Sequence, residues 1–315
     1  MKICVISYDF WNYDRKIVDA LLRKGIEATH IRMTAYRYPN FAARVKNALS
    51  KVFLGKNLKK IHRQEMIMSE LQNIGMQDQI LVISPETIDA AYHEKIKKFT
   101  GKYIAYLYDS LSRNPAEHVL KYFDEVFTFD KEDAKRLGYQ ELHNYNYLTE
   151  NQNHQITTDL IYVGSFDDRI THLESLAVEM EERKKSYRFI IIGSKSWKSK
   201  SSFPSGFELR SEKIPLDRLP EYYGSARAIV DLVRSGQNGL SFRFFEAMAL
   251  RRKVITNNRS VANYDFYNPH NIFILDRDAS QIPADFFETP YAELPQDIYQ
   301  KYTVDYWVEK VFSLA

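Results

Sequence analysis

The sequence predicts an α/β protein built from two parallel-sheet domains that face a central cleft. Short apolar runs typical of β-strands alternate with helical patterns along almost the whole chain. A polar stretch without apolar periodicity, Leu142–Gln155, interrupts this alternation and is typical of a linker. The length of 315 residues suits two domains of roughly 150 residues each. The 44% of hydrophobic residues can fill two cores.

The first predicted domain covers residues 1–150. Its apolar runs predict five strands with helices between them, which is the pattern of a doubly wound parallel sheet. The predicted strands are Lys2–Ser7, Ala28–Arg32, Gln79–Ser84, Tyr103–Tyr108 and Glu125–Phe129.

The second predicted domain covers residues 156–297 and repeats the strand–helix cadence of a Rossmann-like domain. We expect residues 298–315 to form one or two aromatic helices. In open parallel sheets ligands bind beyond the carboxyl ends of the strands, so residues just after each strand are the candidates for a site. The predicted strands of this half are Asp159–Val163, Arg188–Ile192, Phe207–Arg210, Ala228–Asp231, Lys253–Thr256 and Asn271–Leu275.

Composition excludes several classes of protein. The one cysteine, Cys4, rules out a disulfide framework and suits a reducing compartment. The first residues lack the profile of a signal peptide, and no apolar run approaches the ~20 residues that span a bilayer. We therefore expect a cytoplasmic protein. A net charge of +3 is too small to indicate a nucleic-acid partner.

The segment Gly236–Ala249, GQNGLSFRFFEAMA, combines a glycine loop with a helix start. Gly236 and Gly239 let backbone amides approach a ligand, and Ser241 suits the N-cap of a helix whose N-terminus favours phosphate oxygens. Glu246 follows within one or two turns, where its carboxylate can accept hydrogen bonds from vicinal hydroxyls. An ordinary loop–helix–strand unit with a capped helix would have the same pattern.

This segment resembles the nucleotide-sugar signature of GT-B glycosyltransferases of the GT4 type, in which a glycine loop leads into an EAMA helix. On that match Glu246 takes the place of the second glutamate of the E-x7-E motif, which holds the nucleotide ribose. Asn238 stands where the first glutamate contacts the transferred sugar. The resemblance implies the GT-B architecture and a UDP-, GDP- or dTDP-sugar donor as substrate, with no further cofactor.

Three more stretches resemble the family in the same order. They are LIYVGSFDDR, FIIIGSKSWK and PLDRLPEYYGSARAIVDL, which begin at residues 160, 189 and 215. In the family basic residues in the loop after the first of these stretches grip the donor diphosphate, and Lys195 lies just past the glycine of the second. The last helix of the family returns to the N-terminal domain, as we expect of residues 298–315. The positions that match the diphosphate contacts are Gly164, Ser165, Arg169 and Lys195.

Two arginines near the signature are further candidates for the diphosphate. Arg243 falls beside the predicted helix start, and Arg234 follows a predicted strand. A guanidinium can bind phosphate oxygens in a bidentate manner, although either arginine would also be ordinary on a solvated surface.

Three carboxylates of the first domain are candidates for the catalytic base. Asp109 ends a buried strand and could accept a proton from an acceptor hydroxyl, or it could cap the following helix. Asp9 and Asp14 follow the first strand and are rival candidates.

No metal site is predicted. The segment LDRD at residues 275–278 imitates a metal-binding D-x-D motif, but an aspartate at a helix start is ordinary capping. The eight histidines show no metal-ligand spacing. We expect arginine, lysine and a helix N-terminus to neutralise the leaving diphosphate instead.

The stretch Thr29–Gln64 contains nine Lys and Arg residues and no Asp or Glu. Apolar residues recur among these cations at near-helical spacing. The pattern predicts a basic amphipathic helix within residues 41–63 that lies on the inner face of the cytoplasmic membrane. The alternative is a basic helix on an ordinary protein surface.

Together these observations predict a glycosyltransferase that extends a growing bacterial surface glycan, such as capsule, O-antigen or lipopolysaccharide, on a glycolipid acceptor. A nucleotide-sugar 2-epimerase of the same architecture is one alternative. A binding subunit that has lost catalysis is another, for which Asn238 is the reason.

Overall fold

The computed structural model describes residues 1–9, 11–35, 40–54, 57–148, 154–193, 203–233, 239–275 and 282–314. The chain forms two compact units. Unit 1 combines Met1–His143 with Val304–Ala315, and unit 2 is Asn144–Thr303. The division between the units follows residue 143, whereas the sequence places the domain boundary at residues 150–156.

Unit 1 is built on a six-stranded parallel sheet. Its strands are β1 (Lys2–Ser7), β2 (Glu27–Arg32), β3 (Gln77–Ile83), β4 (Thr100–Leu107), β5 (Glu125–Thr128) and β6 (Gln140–Glu141). Its helices are α1 (Tyr13–Arg23), α2 (Phe41–Leu54), α3 (Leu58–Ile74), α4 (Ala90–Ile96), α5 (Glu117–Leu120), α6 (Lys131–Leu137) and α11 (Val304–Phe312).

The strand order in this sheet is β2-β1-β3-β4-β5-β6. All residues of β1 after Lys2 are buried, as expected of a parallel strand covered on both faces. Because β2 and β3 lie on opposite sides of β1, the connections diverge between β1 and β3. This is the topological switch point, where ligands bind in open α/β sheets.

Unit 2 contains a second six-stranded parallel sheet. Its strands are β7 (Thr158–Ser165), β8 (Tyr187–Ile192), β9 (Phe207–Arg210), β10 (Ala226–Asp231), β11 (Lys253–Thr256) and β12 (Ile272–Ile274). Its helices are α7 (Ile170–Glu182), α8 (Leu219–Gly224), α9 (Phe242–Ala249) and α10 (Gln296–Gln300).

The strand order in the second sheet is β12-β11-β10-β7-β8-β9. The chain first adds β8 and β9 on one side of β7 and then β10 to β12 on the other. The switch point therefore lies between β7 and β10. The buried core of this unit includes Tyr162, Phe189, Val230 and Ile255. The two parallel sheets with their helices confirm the predicted fold class, whereas the predicted cleft stays a prediction.

Helix α11 completes unit 1. Trp307 is fully buried and packs edge-on against Tyr106 of β4, with ring centroids 5.0 Å apart. The side-chain amide of Gln79 donates to the carbonyl oxygen of Phe312 at 2.9 Å. These contacts join the end of the chain to the first sheet.

The polar stretch after residue 142 differs from the linker that the sequence predicts. Tyr145 and Asn146 are buried in unit 2. The Asn144 amide donates to the carbonyl oxygen of Leu240 at 2.9 Å. Polar residues without apolar periodicity can still be buried when their amides find partners, and sequence periodicity does not detect this.

None of the described helices has the length and the apolar character that a membrane span requires.

Candidate functional site

The principal candidate site lies at the carboxyl edge of the second sheet, at its switch point. Ser165 ends β7, and Asp231 ends β10. Helix α9 begins beside them, with Ser241 as its N-cap. The side-chain oxygen of Ser241 accepts from the backbone N–H of Arg243 at 3.2 Å, as the sequence predicts for a capped helix.

Arg243 joins the two strands that flank the switch point. Its Nη1 donates to Oδ1 of Asp231 at 3.1 Å, and its Nη2 and Nε donate to the carbonyl oxygen of Val163 in β7 at 2.7 and 3.2 Å. Oδ1 of Asp231 also accepts from the Ser241 hydroxyl at 2.6 Å. The Arg243 side chain keeps 18% of its surface exposed. Its predicted role toward a diphosphate stays a prediction.

Gly164 has a packing reason that the sequence does not reveal. A Cβ atom at this position would lie 2.2 Å from the hydroxyl oxygen of Tyr162, so only glycine leaves room for that ring. The Arg243 and Arg169 guanidinium groups lie 5.3 and 5.9 Å from the centroid of the same ring. The ring thus contacts both predicted diphosphate arginines, an arrangement that favours cations.

Arg169 is buried and held within unit 2. Its Nη2 and Nε donate to the two carboxylate oxygens of Asp167 at 2.7 and 2.8 Å. Its Nη1 donates to the carbonyl oxygen of Leu232, just after β10, at 3.1 Å. The guanidinium therefore orders the loop after β7, and its predicted contact with a diphosphate stays a prediction.

Glu246 lies on α9 with 1% of its surface exposed. The Tyr147 hydroxyl donates to its Oε1 at 2.6 Å. Sequence reasoning missed Tyr147, because it falls in the polar stretch that is typical of a linker. Oε1 of Glu246 therefore already has a hydroxyl donor within unit 2, and the predicted contact of this carboxylate with a ribose stays a prediction.

The loop before α9 is anchored to the next strand. Gly239 is buried, and its carbonyl oxygen accepts from the Asn258 amide at 3.1 Å. The Asn257 side chain accepts from the backbone N–H of Val233 at 2.8 Å. Hydrogen bonds therefore connect the residues that follow β10 with those that follow β11 at the carboxyl edge of the sheet. Four predicted site positions lie outside the described residues: Lys195, Arg234, Gly236 and Asn238.

In unit 1, Asp9 and Asp14 form a buried carboxylate pair after β1. Oδ1 of Asp9 accepts from the backbone N–H of Asp14 at 3.0 Å, which fixes the start of α1. The Tyr108 hydroxyl donates to Oδ1 of Asp14 at 2.7 Å. Burial, and secondly the charge of Asp9, raises the pKa of Asp14 to about 6. Both carboxylates have an evident structural role.

Asp109 is the most accessible of the three predicted catalytic carboxylates. Its side chain is 26% exposed, whereas Asp9 and Asp14 are buried. The Asn114 amide donates to its Oδ2 at 3.0 Å, and the Arg113 guanidinium lies 3.6 Å away. Burial raises the pKa of nearby Glu86, and the charge of Asp109 adds to this effect. A hydroxyl from outside the protein can reach Asp109 more easily than the buried pair.

Within the described ranges, no group of three or more His, Cys, Asp or Glu side chains is arranged to hold a metal ion. The predicted D-x-D aspartates at positions 276 and 278 lie outside those ranges.

Comparisons with known proteins bear on the fold. No protein-family model and no curated protein sequence matches the chain. The structure is similar to the apo form of the lipopolysaccharide outer core galactosyltransferase WaaB, with a TM-score of 0.59, 12% identity and 100% of both chains covered. It is also similar to AviGT4, a glycosyltransferase involved in avilamycin A biosynthesis, with a TM-score of 0.60, 12% identity and coverage of 100% of this chain and 96% of that one.

A third similar structure is an α-glucosyltransferase in complex with UDP-glucose and DNA that contains an abasic site. The TM-score is 0.55 at 11% identity, with 100% of this chain and 94% of that chain covered. The chain therefore has the fold of GT-B glycosyltransferases, as the sequence predicts. At sequence identities of 11–12% the likeness shows the fold alone.

Proposed function

We propose that the protein is a glycosyltransferase that transfers a sugar from a nucleotide-sugar donor to a growing bacterial surface glycan. The observation that carries the proposal is the arrangement of Arg243 and Glu246 on α9, with Ser241 as its N-cap, at the switch point of unit 2. The whole-chain likeness to solved glycosyltransferases supports it independently.

The donor is assigned to unit 2. The Ser241-capped N-terminus of α9 and the Arg243 guanidinium favour a diphosphate at the carboxyl edge of the sheet. Glu246 is assigned to the ribose, and Tyr147 orients its carboxylate through the 2.6 Å hydrogen bond. UDP-sugars are the first donors to test, because one similar structure contains UDP-glucose.

The acceptor is assigned to unit 1, with Asp109 as the general base. A base must come within hydrogen-bond distance of the proton that it removes, and the exposed fraction of Asp109 permits that approach. The surface-glycan assignment rests on the likeness to WaaB and on the acid-free stretch Thr29–Gln64.

Attachment to the inner face of the cytoplasmic membrane is part of the proposal. Phe41 and Val45 of α2 are 77% and 40% exposed, and their neighbours Arg44 and Lys46 are exposed cations. Exposed apolar residues beside cations suit a helix that lies on an anionic lipid surface. The protein would then be peripheral and cytoplasmic.

The direct test combines nucleotide binding with turnover. Melting temperature should rise with one of UDP, GDP, dTDP or CMP, because a ligand that binds the folded state stabilises it by mass action. The corresponding nucleotide-sugars should then release nucleotide only when an acceptor extract is present. Conversion of the donor without acceptor would indicate an epimerase. Binding without turnover of any donor would indicate a binding subunit.

Metal independence is also proposed, because arginine and a helix N-terminus can meet the charge of the leaving diphosphate. Transfer should persist in excess EDTA. A strict requirement for Mg²⁺ or Mn²⁺, together with loss of activity in Asp276→Ala, would assign the D-x-D segment to a metal instead.

A further inference from the structure

Unit 1 contains a pocket of about 250 Å³ at the switch point of its own sheet. Tyr8, which follows β1, and Thr87, which follows β3, line it from the two strands where the connections diverge. The first two turns of α3 contribute Lys60, Arg63 and Gln64. The pocket therefore occupies the position where open α/β sheets bind ligands.

The two cations in this pocket differ in how their charge is compensated. Lys60 forms a 2.5 Å ion pair with Asp89. Arg63 donates to the Tyr8 hydroxyl, and its guanidinium lies 4.7 Å from the centroid of the Tyr8 ring. No described carboxylate forms an ion pair with Arg63, and its buried Nε has no hydrogen-bond acceptor among the described residues. The pocket thus carries one uncompensated positive charge.

Removal from water without an acidic partner is costly for a guanidinium. In line with this, burial lowers the pKa of Arg63. A bound anion would compensate the charge of the guanidinium. A metal cation would be repelled, and a neutral ligand would leave the charge uncompensated.

Hydrogen bonds within the protein hold the walls of the pocket in place. The Gln64 amide donates to Oδ2 of Asp89 at 2.9 Å, and its Oε1 accepts from the backbone N–H of Asp89 at 2.5 Å. Asn57 caps α3 by accepting from the backbone N–H of Lys60 at 3.3 Å. The first turn of α3 contains no acidic residue that would oppose an anion.

We propose that this pocket binds an oxyanion group of the acceptor, with phosphate as the reference chemistry and Arg63 as the principal contact. A guanidinium presents two parallel N–H groups that match two oxygens of a phosphate. The assignment of this oxyanion to the acceptor rests on the proposed function. Phosphate binding by the pocket can be measured without turnover. Arg63 and Lys60 then serve a pocket, whereas the sequence assigns them to a membrane face.

The test is a titration of the purified full-length protein with inorganic phosphate at constant ionic strength, since chloride screens weak contacts. Arg63→Gln should weaken phosphate binding about ten- to a hundredfold, the range expected for lost charge-assisted hydrogen bonds. Arg63→Lys should keep much of the affinity. The matched control Lys98→Gln, which removes an exposed cation of unit 1 outside α2 and α3, should leave it unchanged.

Equal phosphate affinity in Arg63→Gln and the wild type would overturn the proposal. Phosphate that binds only to unit 2 would give this result. If Arg63→Gln does not fold, as judged by its thermal melt, Lys60→Gln replaces it. Lys60→Gln should then weaken phosphate binding relative to Lys98→Gln, and wild-type affinity in Lys60→Gln would refute the site.

Two further arms distinguish the source of the anion. Soluble sugar phosphates and vesicles that contain a phosphomonoester lipid should each compete with inorganic phosphate if they use the pocket. If Arg63→Gln lowers vesicle binding but leaves phosphate affinity unchanged, Arg63 serves a membrane surface and the pocket is refuted. In turnover assays phosphate should compete with the acceptor, and competition with the donor alone would contradict the assignment. Phosphate binding without any sugar transfer would refute the proposed function and leave the pocket intact.

Discussion

Arg243 and Asp231 form an ion pair of 3.1 Å at the start of α9, and the same guanidinium donates to the carbonyl oxygen of Val163. One side chain therefore connects the carboxyl ends of β7 and β10. The hydroxyl of Ser241, the N-cap of α9, donates a hydrogen bond to Oδ1 of the same carboxylate at 2.6 Å. The position of the helix N-terminus relative to the switch point depends on this group of three side chains.

Arg243→Lys should destabilise the protein and weaken nucleotide binding. Lysine keeps the charge but cannot donate to Asp231 and Val163 together, so we expect a loss of about 1–3 kcal/mol in the free energy of unfolding. Urea denaturation measures this loss, and calorimetry measures the nucleotide affinity. Arg218→Lys is the control, because the Arg218–Glu221 pair is exposed and should matter by less than about 0.5 kcal/mol. Equal effects of both substitutions would contradict the role of Arg243.

Glu246→Gln should weaken binding of the donor nucleotide by about 1–3 kcal/mol, because a charged acceptor of hydrogen bonds is lost at nearly constant volume. Tyr147→Phe should have a smaller effect, since the carboxylate remains but loses one donor. The double substitution should cost less than the sum of the single ones, because the two groups share a hydrogen bond. Unchanged nucleotide affinity in Glu246→Gln would remove the ribose assignment.

Asp109→Asn should lower kcat by about 10²- to 10⁴-fold with little change in donor affinity, as expected for loss of a general base. Steady-state kinetics with the acceptor identified in the turnover screen provide the measurement. Asp14→Asn serves as the comparison, because its side chain is buried and bound to Tyr108. A larger loss of kcat in Asp14→Asn than in Asp109→Asn would transfer the catalytic role to the buried pair.

Asp14→Asn should stabilise the protein at pH 7 but not at pH 4. The folded protein raises the pKa of Asp14 from 3.8 to about 6, so the folded state favours the protonated form. Stability contributed by this group therefore falls as pH rises from about 4 to 6, by at most ~3 kcal/mol. His30 acts in the opposite direction, since burial lowers its pKa to about 4 and its contribution is lost as pH falls. The His30 contribution is common to both proteins, so it cancels in the difference between the free energies of unfolding of Asp14→Asn and the wild type.

This difference is measured by urea denaturation at pH values from 4 to 7. A pH-independent difference would show that the Asp14 carboxyl titrates normally in the folded protein.

Binding to anionic vesicles should be strong at low salt and largely lost at high salt, because each cation near the surface contributes about 1 kcal/mol that salt screens. Arg44→Glu combined with Lys46→Glu should abolish it in a flotation assay. Lys95→Glu combined with Lys98→Glu makes the same change of charge outside α2 and should have little effect. A wild-type protein that ignores anionic vesicles at low salt would remove the membrane proposal.

The sequence predicts the elements well where the signal is local. Strand β1 has the predicted bounds, because an apolar run without interruption is typical of a strand buried on both faces. The cap at Ser241 is confirmed for a similar reason, since its side chain bonds to a backbone N–H two residues away. Such interactions depend on neighbouring residues only.

The contacts that build the site could not be predicted in this way. Tyr147 and Glu246 are 99 residues apart, and Arg243 and Val163 are 80 residues apart. Their meeting depends on strand order and on the path of the chain at the switch point. Gly164 likewise matches a family motif, but its need for a missing Cβ follows from the position of the Tyr162 ring.

Helix α11 has a consequence for biosynthesis. Unit 1 includes the packing of Trp307 against Tyr106 and the hydrogen bond from Gln79 to Phe312. Because α11 follows unit 2 in the sequence, the ribosome must translate the whole of unit 2 before unit 1 can be completed. Unit 2 is continuous in sequence and can fold as soon as Thr303 leaves the exit tunnel. Until then the nascent first sheet exposes the apolar surface that α11 later covers. Chaperone dependence during synthesis should therefore be greatest for unit 1, although it is made first.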